Sequence, residues 1–430
     1  MDSCSQPELL PVNQAIALML EAITPITDTE SVDLAASLDR VLAAPIYSAI
    51  NVPGHDNSAM DGYAFLYADA ANNTPLRLAG HALAGHPFKG ELKTGECVRI
   101  MTGAVVPAGT DTVVMQENVN ITGDKIDINP LPKPEANIRR AGEDIAIDSL
   151  VFETGKRISP IDIGLLASLG IAELNVFKRI KVAVFSTGDE LKPLTQTLQA
   201  GDNLQVGEVY DSNRPTLIAL LSRLAVDVID LGCIADDPEK IADAFESAIA
   251  QADVVISSGG VSVGDADYTK PVLEKLGNIN FWKVAMKPGK PFAFGALRKK
   301  TSGEGHKKNS AEQKGWFFGL PGNPVSSVVT YHQLVVPALR YLAGEVFEDA
   351  PVLSIATQTP LKKQPGRADY QRGKLITDDG ENKVTTTGNQ SSGVLSSLAQ
   401  ANCYLVLEQE RASVAAGEKV NVVLFDRFLQ

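Results

Sequence analysis

A chain of 430 residues, 44% of them apolar, exceeds one ordinary hydrophobic core, and roughly three domains is the expectation for that length. Its formal net charge of −13 argues against bulk binding to nucleic acid or an anionic membrane surface but leaves room for a local basic pocket, and no apolar run approaches the ~18 residues of a membrane span. The opening MDSCSQPELL lacks a basic region followed by an apolar core, so no secretory leader is read, and the scattered Cys4, Cys97, Cys233 and Cys403 fit a reduced, cytoplasmic setting.

Residues 13–23 (NQAIALMLEAI) and 33–43 (DLAASLDRVLA) both carry helical periodicity. From about Gly54 to Ile147 short apolar runs alternate with Gly, Pro and Asn turns, which predicts a β-rich segment, with a hairpin around Gly123-Asp124 in NITGDKIDI. Residues 159–171 return to helix, with Pro160 suited to an early position. From Arg179 strands (RIKVAVFS, DVIDLG, ADVVISS) alternate with helices (NRPTLIALLSRLA, DPEKIADAFESAIAQ, 268–276), the pattern of a parallel, doubly wound sheet. Arg298 to Gly315 interrupts two further strands and reads as a solvated hairpin loop. PGNPVSS opens a long helix, and after Glu348 short strands predict a small barrel or sandwich.

In a doubly wound sheet, ligands sit at the carboxyl ends of the strands. Those ends carry Ser186 to Glu190, Ile234 to Pro238, and SSGGVSVGDADY (257–268). The last is a strand–turn–helix passage. Ser258, Gly259, Gly260 and Ser262 aim backbone N–H groups at an anion, and Asp265 and Asp267 offer oxygen to a cation. A tight turn with an Asp cap is the simpler reading of the same residues. Five histidines, His55, His81, His86, His306 and His332, show no ligand spacing, which leaves a hard cation on carboxylates rather than a transition metal. Lys283 and Lys287, four apart in KVAMK, share a face on a helix or a strand. Set among apolar neighbours and followed by PGKP, they read as charge neutralisation for an oxyanion, with Lys290 a weaker candidate. A pair of surface lysines is the alternative.

Taken together, PGHDNSAMDGYA (53–64), RIMTGAVVPAGTDTVVMQE (99–117), NIRRAGEDI (137–145), FSTGDEL (185–191), YDSNR (210–214), SSGGVSVGDADYTK (257–270), FWKVAMKPGKPFAFG (281–295) and GLPGNPVSS (319–327) resemble the molybdopterin molybdenumtransferases, the MoeA-type enzymes, over nearly the whole chain. The resemblance implies a multi-domain α/β and β fold. An elongated N-terminal domain would comprise 1–52 with 145–178 and a β-rich domain 53–144. A doubly wound molybdopterin-binding domain would span 179–346 and a β-barrel-like domain 347–430. It implies Mg²⁺-dependent insertion of molybdate into adenylylated molybdopterin with release of AMP, in a homodimer whose site lies at the subunit interface. Carried over by motif, the catalytic residues are Asp61, Asp144, Glu190, Asp236, Asp267, Lys283 and Lys287, with Glu190, Asp236 and Asp267 on the metal. Substrate contacts are Thr102, Arg139, the turn residues above, Pro321, Gly322, Asn323, Arg372 and Ser392. At Ser392 the family more often reads His-Gln-Gly-Ser, where this chain has Asn389-Gln390-Ser391-Ser392. Two rivals stand beside this reading: a molybdopterin adenylyltransferase, and a non-catalytic gephyrin-like scaffold. Adenylyltransferases and apo-molybdoenzymes are the docking partners the role suggests, and no motif selects between them.

Overall fold

The computed structural model describes residues 9–72, 74–194, 204–260, 269–298 and 314–429. Ser262, Asp265 and Asp267, and nearly all of the 298–315 interruption, lie outside the described residues. The chain divides into two compact units, one of Met1–Glu30, Asp39–Val41 and Val176–Gln430, the other of Ser31–Leu38 and Leu42–Asn175.

The first helix, α1 (Val12–Ala22), buries Val12, Ala15 and Met19, the i, i+3, i+7 stripe of its sequence. The second expected helix, 33–43, does not form. Thr29–Asp33 is a strand and Leu34–Ala36 a single 3₁₀ turn. Asp39 then takes a left-handed φ of 65°, which a helix cannot absorb. Arg40 is drawn out of helical register by Glu30 and by the carbonyl of Phe177 at 2.8 Å. Tertiary partners have overridden a local periodicity.

The smaller unit is built on a six-stranded sheet. Its strands are β1 (Gly62–Phe65), β2 (Leu76–Ala82), β3 (Glu96–Ile100), β4 (Thr112–Met115), β5 (Val119–Thr122) and β6 (Lys125–Ile128), in the order β4-β1-β3-β2-β6-β5. The expected hairpin is β5–β6, with Thr122 opposite Lys125 and Gly123 at φ 67°. Central β1 is buried along its whole length and antiparallel to both neighbours, Gly62 facing Ile100 and Met115. A Cβ on Gly62 would lie 1.7 Å from the Val114 carbonyl, so only glycine allows this approach. The register sets Asp61, just before β1, against Thr102, just after β3.

Helix α2 (Pro160–Ser168) starts with a reciprocal cap: the Ser159 hydroxyl accepts from the Asp162 N–H and the Asp162 carboxylate accepts from the Ser159 N–H at 2.7 Å. Burial opposes the Asp162 charge, but the Ser159 bonds and the Lys156 ammonium outweigh it and hold the carboxyl below its ordinary value. Asp162→Ala is expected to cost about 1 kcal/mol. Because the folded-state pKa is depressed, that stabilisation is present above the unfolded value of ~3.9 and lost as pH falls through the lower, folded value. Urea midpoints of the two proteins should therefore differ at neutral pH and converge in acid.

The larger unit holds a second six-stranded sheet. Strands β7 (Lys181–Thr187), β8 (Asp227–Ile234), β9 (Val254–Ser258), β10 (Gly277–Lys283), β12 (Pro291–Arg298) and β13 (Lys314–Leu320) lie in the order β8-β7-β9-β13-β12-β10. The first four are parallel, as expected from the alternation with helices. The remaining edge is antiparallel, and β12–β13 pair Arg298 with Lys314, the geometry of a hairpin across the interruption. Alternate residues feed two cores. Val182, Val184, Val254 and Ile256 pack with α1, α3 (Asn213–Ser222) and α6 (Pro324–Thr330). Ala183, Phe185 and Val255 pack with α4 (Pro238–Gln251) and α5 (Thr269–Leu276). Both faces are covered, as a doubly wound sheet requires.

The C-terminal strands β14 (Leu353–Thr357), β15 (Ala368–Asp378), β16 (Glu381–Thr386), β17 (Cys403–Leu407) and β18 (Lys419–Leu424) run β15-β16-β14-β18-β17, and β17 pairs back onto β15. This closes a five-stranded barrel and removes its free edges. A short strand, β11 (Met286–Lys287), joins it in parallel, with Lys287 opposite Asp369. Lys283 and Lys287 therefore do not share one strand: Lys283 ends β10 of the α/β sheet, and the fully buried Val284, Ala285 and Met286 carry the chain across to the barrel. The apolar residues between the lysines are the reason for the turn-away.

Candidate functional site

Three glycine and asparagine features shape the carboxyl edge of the α/β sheet. After β9 the chain turns through Gly259 (φ 93°) and Gly260 (φ 67°). A Cβ on Gly259 would stand 2.8 Å from the Thr187 carbonyl, and one on Gly260 would stand 2.1 Å from the Thr269 hydroxyl. The turn is latched to the Pro321-Gly322-Asn323 turn by the Gly259 N–H, which donates to the Leu320 carbonyl at 3.0 Å. Asn213, at the start of α3, fastens both: its side-chain nitrogen donates to Ser258 Oγ at 2.8 Å and to the Gly322 carbonyl at 2.7 Å. Ser392 joins here through its carbonyl, which accepts the Val325 N–H at 3.0 Å. The structure thus brings Ser258, Gly259, Gly260, Pro321, Gly322, Asn323 and Ser392 to one place. Asn213 was not singled out from sequence, although YDSNR contains it; its role depends on partners 45 and 109 residues away.

Two strands along, the loops after β7 and β8 bring Asp189, Glu190 and Asp236 together. The Asp236 N–H donates to Asp189 Oδ1 at 3.1 Å. Burial first, and then the charges of Asp189 and Glu190, push the Asp236 carboxyl above its ordinary value, as carboxylates held close do to one another. Asp237, next in sequence, is the true cap of α4, accepting from Glu239 and Lys240, which leaves Asp236 free of that task. Among the described residues no group of three or more His, Cys, Asp or Glu has metal-holding geometry. Asp189 belongs to the strand-end cluster read from the sequence, where it carried no role of its own.

In the smaller unit, Asp61 Oδ1 accepts both the N–H and the hydroxyl of Thr102, each at 2.7 Å. These bonds hold its carboxyl below the ordinary range. Thr102, Arg139 and Asp144 line one cavity of about 470 Å³ with Pro53, Asn57 and Glu143. The neighbouring Arg140 is engaged elsewhere, by Asp56 at 2.7 Å and Glu135 at 3.0 Å. Asp61, Thr102, Arg139 and Asp144, far apart in sequence, thus converge within this unit.

A second cavity, about 750 Å³, opens on the barrel between Lys287, Lys362, Lys363, Arg367 and Asp369. Lys283 is absent from its lining. Arg372 does not reach a cavity: it is 1% exposed, and its guanidinium donates to Ser397 Oγ and to the Ser391 carbonyl, both at 3.1 Å.

Family models match three successive stretches of the chain: "MoeA N-terminal region (domain I and II)" over residues 10–170, "Probable molybdopterin binding domain" over 183–341, and "MoeA C-terminal region (domain IV)" over 355–425. The chain belongs to the MoeA family. A molybdopterin molybdenumtransferase of Haemophilus influenzae is 46% identical over 424 residues, 98% of this chain and all of that protein. Gephyrin of Dictyostelium discoideum is 35% identical over 98% of this chain, which spans 63% of that protein. A solved MoeA structure from Pyrococcus horikoshii superposes with a TM-score of 0.79 at 28% identity, covering 97% of this chain and all of that one. The MoeA-type architecture expected from sequence, α/β and β with a C-terminal barrel, is the one observed. No described helix is long and apolar enough to cross a membrane.

Proposed function

We propose that this protein is a molybdopterin molybdenumtransferase that inserts molybdenum from molybdate into adenylylated molybdopterin, releasing AMP with the help of Mg²⁺, and that it works as a homodimer in the cytoplasm. The observation that carries the reading is one sheet edge that presents two latched turns beside a knot of carboxylates. The Gly260 N–H suits a phosphate oxygen of a nucleotide-linked pterin, while the Gly259 N–H is taken by the Leu320 carbonyl and holds the turn in place. Glu190 and Asp236, with Asp267 from the sequence, would hold the cation. Their donor chemistry fits: Mg²⁺ prefers carboxylate oxygen, keeps several waters and borrows phosphate oxygens, so it does not need a full protein cage, and a cation would offset the crowding of Asp236 by Asp189 and Glu190. When bound, Mg²⁺ offsets diphosphate charge and polarises phosphorus. Asp61, fixed by Thr102 and ionised at neutral pH, is oriented for a charged partner. Lys287, in the basic cavity, suits an oxyanion.

Identity is 46% to the Haemophilus transferase and 35% to Dictyostelium gephyrin, which favours the enzyme over a scaffold. The test is anaerobic incubation of purified protein with adenylylated molybdopterin, Mg²⁺ and molybdate. AMP release should require both ions, and Asp236→Asn should slow it by at least about 10²-fold. Adenylylation of molybdopterin by the purified protein plus ATP would instead assign the preceding step.

A further inference from the structure

Among the described residues one carboxylate lines the basic cavity, and it is buried. Asp369 is 2% exposed, and its Oδ2 accepts from Lys287 Nζ at 3.1 Å and from the Gln371 side-chain nitrogen at 3.2 Å. Parallel pairing of β11 with β15 sets Asp369 opposite Lys287, and the Ala368 N–H donates to the Ala285 carbonyl at 2.8 Å. The other cations of the cavity differ from Lys287. Lys363 spends its ammonium on the carbonyls of Arg411 (2.6 Å), Gln409 (3.1 Å) and Gln364 (3.4 Å). Lys362 is exposed. Lys287 combines a half-open side chain, 44% exposed, with an anchored carboxylate partner.

We propose that Asp369 is a positioning residue for Lys287, pinning its ammonium to the cavity wall so that the remaining hydrogens meet an oxyanion. The proposal rests on the reading of Lys287 as an oxyanion contact in molybdate insertion. A free lysine head sweeps a wide volume on a four-carbon stem, and holding it in one place costs rotamer entropy. Asp369, itself held by Gln371, has met that cost before any ligand arrives. An ammonium carries three hydrogens, and Asp369 takes one. The same carboxylate repels an incoming anion, so it should weaken resting binding while sharpening the reactive arrangement.

That opposition gives the proposal its test in the full-length protein. Asp369→Asn is expected to lower kcat for AMP release about tenfold through lost orientation, while the KM for molybdate stays level or falls. In a Lys287→Met background the same substitution should change kcat by less than twofold, because the group it positions is gone. Gln371→Met, which keeps the charge but removes one anchor, should lower kcat in the same direction by a smaller factor, and it serves if Asp369→Asn fails to fold. A merely structural Asp369 would raise KM and lower kcat together, in either background, and that result overturns the proposal. So does an Asp369→Asn protein with kcat within twofold of the parent. Direct molybdate binding by calorimetry separates this idea from the wider reading. Should the parent release no AMP, the function falls but the pairing is still decided. Binding weakened by Lys287→Met and strengthened by Asp369→Asn retains the pairing, and binding weakened by both discards it.

Discussion

Gly260→Ala is expected to cut kcat/KM for AMP release by at least about 10²-fold. The residue sits at φ 67°, where an L side chain costs roughly 1–2 kcal/mol. Its new methyl would lie 2.1 Å from Thr269 Oγ1 and 3.2 Å from Thr187 Oγ1. Neither hydroxyl can swing away, since Thr187 and Thr269 are 6% and 1% exposed. The turn must open instead, and a displacement near 1 Å at a positioning element costs about 10²-fold in rate. Thr269→Ala in the same chain removes the nearest atom and should restore part of the activity, though not all, because the Thr269 Cβ is itself only 2.9 Å from the added carbon. Steady-state AMP release and thermal melts of the single and double variants decide the matter. A Gly260→Ala enzyme within threefold of the parent would remove this turn from substrate binding.

Arg372→Met should be strongly destabilising, by roughly 1.5–3 kcal/mol, the range for hydrogen bonds made by a buried charged group. Met keeps much of the volume but removes the guanidinium bonds to the Ser391 carbonyl and Ser397 Oγ, leaving the carbonyl only the Val394 N–H at 3.3 Å. Burial pushes the Arg372 guanidinium pKa down, and the charge of Asp369 acts the other way. Arg372 also carries the loop through its backbone, whose N–H donates to Gln390 Oε1 at 2.7 Å. Urea denaturation would show the loss as a lower midpoint. At low temperature, where the variant stays folded, KM for molybdate should remain within a few fold of the parent. A large KM change with an unaltered midpoint would make Arg372 a direct ligand contact instead.

Much of the α/β domain was legible because its information is local. Val182 and Val184 face one core while Ala183 and Phe185 face the other, and a run of apolar residues between turn signals announces such a strand. The glycines after β9 were equally readable, since few other reasons place two of them at a strand end. What stayed hidden depends on distant partners. Asp61 and Thr102 are 41 residues apart and meet only through the β1–β3 register. The 33–43 periodicity lost to Arg40 and its partners. The common face expected for Lys283 and Lys287 presumed an unbroken element, whereas the intervening residues cross from sheet to barrel. Asp189 lies in FSTGDEL and Asp369 in none of the motifs, and neither stretch names Asp236 or Lys287 as its neighbour; register and loop closure create those pairs.

One carboxamide, that of Asn213, spends its nitrogen on two loops, at Ser258 and Gly322, which the chain reaches 45 and 109 residues later. Those loops cannot drift separately while it holds. A molecule seated on either one inherits a partner already in place and pays to still a single body rather than two, so fragments gripping opposite ends should assist each other's residence, and cutting this tie should loosen both at once.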